Sequence, residues 1–388
     1  MQSVRINRKG ADRRRAGGHP WIFSSDVLDR GGAQPGDAVR VIDPRGEPLG
    51  VAHYSSTSQI TLRMLSSEVI DIDRQFFVTR LQAAAAHRSR IVSGSDAYRL
   101  VHGEGDLLPG LVIDRYGDYF VLQTLSQGMD RIKQMLAEIL TAEFAAKAVI
   151  VRNDAAVRKH ESLETEVKVL CGEMASERVS MSMNGLQLHA DLLHGQKTGV
   201  FLDQRENYAA AARYAHGRAL DCFTCTGGFA LHMAKSCESV EAIDSSEAAL
   251  ETARANASAN AITNIHWKSA DVFDVLSSYS RSRATFQTIV LDPPAFTKSR
   301  SAVEGALRGY KDINLRALRL LEPGGILITN SCSHHISEAD LLGVVAEASI
   351  DARKTLRVLE RRTQSADHPI LLTVPETLYL KCLILQVV

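Results

Sequence analysis

The sequence predicts an α/β protein whose C-terminal half is a doubly wound, largely parallel sheet, preceded by a small β-domain and a central α+β unit. Three observations lead there. From about residue 191, apolar strand-like runs end at Leu220, Ile243, Ala270, Leu291 and Thr329, with helix-compatible segments between most of them. That alternation is what a parallel sheet with crossover helices requires. Residues 1–70 instead carry closely spaced turn signals, Gly17-Gly18, Gly31-Gly32, Pro35-Gly36 and Pro44-Arg45-Gly46, around short apolar runs at Asp37–Ile42 and Gln59–Met64, the texture of a small β-domain. A chain of 388 residues is also too long for one ordinary core.

The remaining elements follow in order. Residues 71–94 give a helical connector with Phe76, Phe77, Leu81 and Ala84–Ala86. Leu111–Ile113 and Tyr119–Gln123 read as strands about the turn Tyr116-Gly117-Asp118. Ile132, Met135, Leu136, Ile139 and Leu140 give Met129–Phe144 a helical spacing. Ala148–Arg152 and Val167–Leu170 complete the central unit, and Arg357–Glu360 and Leu378–Val387 add an antiparallel edge pair to the C-terminal sheet.

Composition narrows the function classes. Hydrophobic content of 45% and charged content of 23% belong to a soluble globular protein. No run reaches the ~18 apolar residues of a membrane helix, and Met1–Arg15 lacks the apolar core of a secretory leader, so a cytoplasmic location is expected. Six cysteines lie scattered through the chain, which favours reduced thiols over a disulfide scaffold. A formal net charge of zero excludes a generally basic coat. Locally, Arg5, Arg8, Lys9, Arg13, Arg14 and Arg15 face one acid, Asp12. Such a cluster is either a phosphate-neutralising patch or a solvated arm.

In open α/β sheets, ligands bind beyond the carboxyl ends of the strands. Here those ends carry an acid repeatedly, at Asp221, Asp244, Asp271 and Asp292. After Asp221 comes a glycine-containing turn, with Phe223, Thr226, Gly227 and Gly228, that opens a helix. Without a full GxGxxG, a dinucleotide pyrophosphate is the weaker guess, and an acid at that turn suits a zwitterionic or cationic ligand. Asp244, with Ser245 beside it, stands where a carboxylate takes ribose hydroxyls. Asp271, followed by Val272, is placed to accept from an adenine amino group. Singly, each of these acids also fits a helix cap or loop residue. Cys222 and Cys225 form a CxxC pair, but nothing supplies a second ligand pair for zinc, so no metal is expected.

Two strand ends choose the chemistry. Val290–Phe296 closes a strand with Asp292, Pro293, Pro294 and Phe296. The prolines stiffen the backbone, and the phenylalanine suits stacking on a base. Thr329–His335 closes the next strand and carries Cys332 to the same sheet edge. A thiolate there has a use, because carbon 5 of a pyrimidine becomes nucleophilic when a thiolate adds to carbon 6 and an acid near nitrogen 3 balances charge. Cys332 is then the nucleophile and Asp292 the acid at the pyrimidine edge. His334 and His335 are assigned no more than an auxiliary part in proton transfer.

Taken together these residues resemble the bacterial large-subunit ribosomal RNA (cytosine-C5) methyltransferases. The resemblance runs nearly end to end. It includes Gly18–Ser24, Tyr98–Gly105, Leu108–Gly117, Gly195–Asn207, Asp292–Phe296 and Ser331–His334. It implies an N-terminal PUA RNA-binding domain of β-barrel type over 1–70, a central α+β domain over 71–185 and a Rossmann-like class I methyltransferase domain over 186–388. It further implies S-adenosyl-L-methionine as cofactor, with Gln204 and Arg205 lining its pocket, and 23S ribosomal RNA as partner. It implies no membrane and leaves a homodimer open. Cys332 matches the catalytic cysteine of that group. Cys225 stands in place of an aromatic residue, and Pro375–Tyr379 in place of a glycine-basic pair. Two other readings stay open: a nucleobase nitrogen methyltransferase that leaves Cys332 idle, and a non-catalytic RNA-binding assembly factor that keeps the fold.

Overall fold

The computed structural model describes every residue except 175, 177, 196, 197 and 298, and the side chain of Arg300. The chain divides into two compact units. One is Met1–Ser182 with Ala190–Val200 and Ala366–Thr377; the other is Met183–His189 with Phe201–Ser365 and Leu378–Val388.

The first unit holds two sheets, each with its own core. The N-terminal sheet has six strands in the order Trp21–Phe23, Ile60–Ser66, Pro48–Tyr54, Ala38–Ile42, Ser3–Ile6, Val27–Asp29. Val4, Ile6, Ile22, Val39, Val41 and Leu62 fill its core. Most of the basic segment near the start is the helix Arg8–Gly17, where Asn7 caps the first turn and Gly18, left-handed at φ 63, ends the last. Arg15 bonds the buried Asp43 at 2.8 Å and Arg13 pairs with the buried Asp26. Two members of the basic cluster are therefore tied to carboxylates of their own domain.

The second sheet of this unit has the order Glu166–Gly172, Ala148–Asn153, Tyr119–Thr124, Leu111–Tyr116, Ala97–His102. Phe77 and Leu81 of the helix Arg74–Ile91 and Leu136 and Leu140 of the helix Lys133–Phe144 share its core. The helix expected over Met129–Phe144 is two helices. Ser126 caps a short one, Gln127–Arg131, and Ile132 leaves helical geometry at ψ 8 before the next begins.

The second unit contains a seven-stranded sheet, whose strands alone are numbered here: β1 Arg218–Cys222, β2 Ser239–Asp244, β3 Ile265–Ser269, β4 Phe286–Leu291, β5 Leu321–Ser331, β6 Leu356–Arg362 and β7 Lys381–Val387. Their order is β3-β2-β1-β4-β5-β7-β6. The first five run parallel and β7 is antiparallel to both neighbours. The order reverses between β1 and β4, which opens the crevice where such sheets bind ligands. Leu220, Ile243, Ile289, Leu291, Leu327 and Leu383 are buried in its core.

Strand ends depart slightly from the hydrophobic pattern. β1, β2 and β5 run on to Cys222, Asp244 and Ser331, so Asp221 and Asp244 lie inside their strands rather than after them. The ladder tolerates Asp221 because its backbone pairs on both sides, with Ala242 and Val290, while one oxygen of its side chain is satisfied from the turn and helix above. Among the described residues no helix is long and apolar enough to cross a membrane.

Candidate functional site

The glycine-containing turn is built around Asp221. That side chain is fully buried, and its Oδ2 accepts from the Thr224 hydroxyl at 2.6 Å and from the Ala230 N–H at 2.9 Å. Ala230 lies in the first turn of the helix Gly228–Met233, whose own N-cap, Gly227, has no side chain to offer. Asp221 therefore caps that helix from below. Its Oδ1 is buried without a hydrogen-bond partner. Burial pushes the carboxyl up to about 7, against the pull of the Thr224 and Ala230 hydrogen bonds. A cationic donor reaching Oδ1 would relieve this.

Above Asp221 the backbone is forced. Phe223 and Cys225 are left-handed at φ 64 and 51, and Gly227 lies at φ 87. A non-glycine residue there is strained by about 1–3 kcal/mol. The Cys225 N–H donates to Asp244 Oδ2 at 2.9 Å, so part of the compensation comes from the next strand end. Close packing fixes the rest. A Cβ on Gly228 would come 2.4 Å from Cζ of Tyr208, and one on Gly227 2.9 Å from the Trp267 ring. Tyr208 cannot yield easily, because its ring is held by Phe229 (centroids 4.7 Å apart) and His232 (5.2 Å).

The other predicted cofactor residues divide by what holds them. Asp244 is half-buried, and its Oδ1 accepts from Ser246 N–H at 2.9 Å; Ser245 is exposed. Asp271 is the N-cap of the helix Val272–Ser282, its Oδ1 accepting from Phe273 and Asp274 at 2.8 and 3.2 Å. The capping reading thus applies to Asp271, and one of its oxygens is committed. The Val272 side chain belongs to the core, so contact with a ligand falls to its backbone. Thr226 is half-buried in the turn. Arg205 is buried and turned to the Glu206 carboxylate at 3.3 Å. Gln196 and Lys197 of the Gly195–Asn207 motif lie outside the described residues.

Gln204 does not stand alone. Its Nε2 donates to Asp292 Oδ1 at 3.0 Å, and its Oε1 accepts from Asn207 Nδ2 at 2.7 Å. Asn207 Oδ1 in turn accepts from Arg362 Nε at 2.9 Å, and Arg362 also donates to Glu360 at 2.7 Å. A guanidinium only donates, so it sets the orientation of Asn207, which sets that of Gln204. The chain ends by presenting an N–H to Asp292, and so fixes the orientation of that side chain. Sequence reasoning named Gln204 and Asp292 but not Asn207 or Arg362.

Asp292 follows β4 directly and Cys332 follows β5 directly, on neighbouring parallel strands paired at Leu291 and Thr329. Asn330 Nδ2 bonds the Leu291 carbonyl at 3.2 Å and ties the two ends together. Cys332 is half-buried between Ser331 and Ser333, both fully buried. Their hydroxyls lie 2.9 and 3.0 Å from the Tyr310 hydroxyl. Phe296 packs against the Tyr310 ring with centroids 4.6 Å apart, and a Cβ on Gly309 would come within 3.2 Å of it. One side of the expected stacking residue is thus occupied, which leaves it half-buried. Pro293 is buried and can only stiffen the turn, whereas Pro294 is exposed at the rim. His334 is exposed and His335 half-buried. Among the described residues no His, Cys, Asp or Glu group forms a metal site.

Comparison with known proteins bears on both ends of the chain. Residues 4–67 match the model of a PUA-like domain, and residues 99–384 that of an S-adenosylmethionine-dependent methyltransferase. The chain is 41% identical to ribosomal RNA large subunit methyltransferase I of Shewanella denitrificans, covering 99% of this chain and 100% of that one. The protein of the same name from Photobacterium profundum is also 41% identical, over 96% of each chain. The crystal structure of SMU.776 complexed with SAH shares the fold over all of both chains, with a TM-score of 0.85 at 19% identity. A SAM-dependent methyltransferase from Agrobacterium tumefaciens shares it with a TM-score of 0.53 at 17% identity, over 76% of this chain and 91% of that one. None of these likenesses supports a homodimer.

Two outcomes test this geometry. Gly228→Ala should weaken binding of S-adenosylhomocysteine by about tenfold or more, roughly 1.4 kcal/mol, in calorimetric titration. Gly343→Ala, where nothing lies within 4 Å of the added carbon, should leave binding unchanged. The second concerns pH. Because folding raises the Asp221 carboxyl from 3.8 to about 7, its contribution to stability is complete below the unfolded value and is lost as pH rises through 7. The difference in unfolding free energy between wild type and Asp221→Asn should therefore move against the wild type between about pH 4 and 7. A pH-independent difference would contradict the assignment.

Proposed function

The chain belongs to the S-adenosylmethionine-dependent methyltransferase family, and on that premise we propose that it methylates carbon 5 of a cytosine in large-subunit (23S) ribosomal RNA through a covalent bond to Cys332. Its cofactor is S-adenosylmethionine. The cofactor's ammonium, sulfonium and ribose diol suit carboxylates, and Asp221 Oδ1, buried without a partner, is an acceptor for such a donor. In this reading Asp221, Asp244 and Asp271 hold the cofactor above the turn Phe223–Gly228, with Gln204 and Arg205 at its wall. When bound, the cofactor supplies an electrophilic methyl group.

The chain's own residues do the rest. The Cys332 thiolate adds to carbon 6 of the base, which turns carbon 5 into a nucleophile. Protonated Asp292 stands at the nitrogen 3 edge and gives its proton to nitrogen 3 as sulfur adds, so that no anion is left on the ring. Carbon 5 takes the methyl group, a base from solvent removes the carbon 5 proton, the thiolate is expelled, and nitrogen 3 returns its proton to Asp292 as the ring is restored. The observation that carries the reading is the placement of Cys332 and Asp292 at the ends of two directly paired parallel strands. The 41% identity to enzymes named for large-subunit ribosomal RNA supports the substrate, and the PUA-like domain supports RNA binding at the other end of the chain. The same reading assigns 1–70 to RNA binding, 71–185 to a central domain and 186–388 to catalysis, and places the enzyme in the cytoplasm.

RNA carrying 5-fluorocytosine tests it, because fluorine at carbon 5 blocks the final elimination. With cofactor present, wild type should form a denaturation-resistant protein–RNA adduct and Cys332→Ala none. Methyl transfer to unmodified RNA without any adduct would overturn the carbon 5 assignment and favour a ring or exocyclic nitrogen as the acceptor.

A further inference from the structure

We propose that Lys381, buried at the start of β7 beside the Ser331-Cys332-Ser333 turn, is a positioning residue whose ammonium holds Cys332 as a thiolate. The proposal rests on the reading of Cys332 as nucleophile and names what activates it. Lys381 is paired with Ser331 across the β5–β7 ladder and is only 5% exposed. Its Nζ donates to the Ser333 carbonyl at 2.8 Å and to the Tyr379 carbonyl at 2.9 Å. An ammonium has three N–H donors, so one holds the turn on which Cys332 sits, one holds the Tyr379 carbonyl just before β7, and the third remains for a neighbour.

A buried lysine without a paired acid is expensive to keep charged. Burial pulls this one down to about 8, while Cys332 and Asp340 pull it up. The groups that act on the pair from the surrounding elements are Asp340 of the helix Glu338–Asp351, on Lys381, and Tyr310 of the helix Val303–Leu320, beside Cys332; His334 and His335 follow Cys332 in the chain and Asp292 follows the neighbouring β4. Tyr310 is kept protonated, its hydroxyl pushed up first by burial, and it accepts from the Ser331 hydroxyl and shares a hydrogen bond with that of Ser333 rather than competing as an anion. Lys381 is the cation hydrogen-bonded to the turn itself, through the Ser333 carbonyl. When the thiol ionises, its proton leaves to solvent and the ammonium keeps all of its own. The thiolate supplies the charge that the buried ammonium lacks, and the ammonium lowers the pKa of the thiol.

The proposal separates from simple structural support by a direct reading of thiol ionisation. Full-length protein is alkylated with iodoacetamide across a pH series, and the rate at Cys332 is followed by peptide mass spectrometry. Lys381→Met should raise the midpoint for Cys332 by about one unit, slowing its alkylation roughly tenfold near neutral pH. Cys171, remote in sequence and half-exposed, serves as the internal control and should not shift. Lys381→Gln keeps an N–H donor for the turn without the charge and should shift Cys332 as far as methionine does; Lys381→Arg should restore most of the wild-type midpoint. An unchanged midpoint in a folded Met or Gln variant would overturn the proposal. Its failure is distinct from failure of the nucleophile reading, since alkylation reports ionisation alone and the 5-fluorocytosine adduct reports addition to RNA.

Discussion

The site depends on the parallel register of three central strands. β1 pairs with β4 so that Cys222 lies opposite Leu291, and β4 pairs with β5 so that Leu291 lies opposite Thr329. This alignment brings Asp221, Asp292 and Cys332 to one edge of the sheet although they are separated by long stretches of chain. A parallel ladder buried on both faces resists slippage, since moving by one residue would swap core side chains such as Ile289 and Leu327 with those packed on the opposite face, such as Val290 and Ile328. The register therefore positions the chemistry as well as the core, and the Asn330 side chain bonded to the Leu291 carbonyl locks it at the end that matters.

Around that edge the protein uses two kinds of fixation. At the end of β1, backbone is held in unfavourable conformations, Phe223 and Cys225 left-handed, by a buried carboxylate below and a tyrosine wedged against Gly228. At the end of β4, polar groups are oriented by donors that have no alternative. Arg362 dictates Asn207, Asn207 dictates Gln204, and Gln204 meets Asp292 with an N–H. Lys381 acts in the same manner on the turn after β5. The antiparallel strands β6 and β7 thus do more than cover an edge, since each contributes a cation to the arrangement at the ends of β4 and β5.

Much of this was legible in the sequence, for identifiable reasons. The alternation of apolar runs and helical segments predicted the sheet, and the acids it placed near successive strand ends lie in or just after strands β1 to β4. Asp292 and Cys332 stood out because their residue types match a reaction. What escaped was whatever depends on partners distant in the chain. Lys381 heads an apolar run and looks like the solvated start of a strand; only the β5–β7 pairing buries it. Asn207 and Arg362 look like surface residues until folding joins residues 155 apart. Asp271 could not be separated from a cap by pattern, because a cap and a ligand acid occupy the same position at a helix start. The strand Pro48–Tyr54 was missed because Pro48 and Gly50, at φ 120, are turn signals set within it. The helix Arg8–Gly17 was hidden by charge, since its buried face is little more than Gly10 and Ala11.

The central claim is that this edge directs the methyl group to carbon 5 of cytosine. The most direct test is to methylate large-subunit RNA with the purified enzyme and isotopically labelled cofactor, digest to nucleosides, and identify the labelled product by chromatography and mass spectrometry. The account predicts 5-methylcytidine, made by wild type and not by Cys332→Ala. Label in N4-methylcytidine, or in any purine, would contradict it.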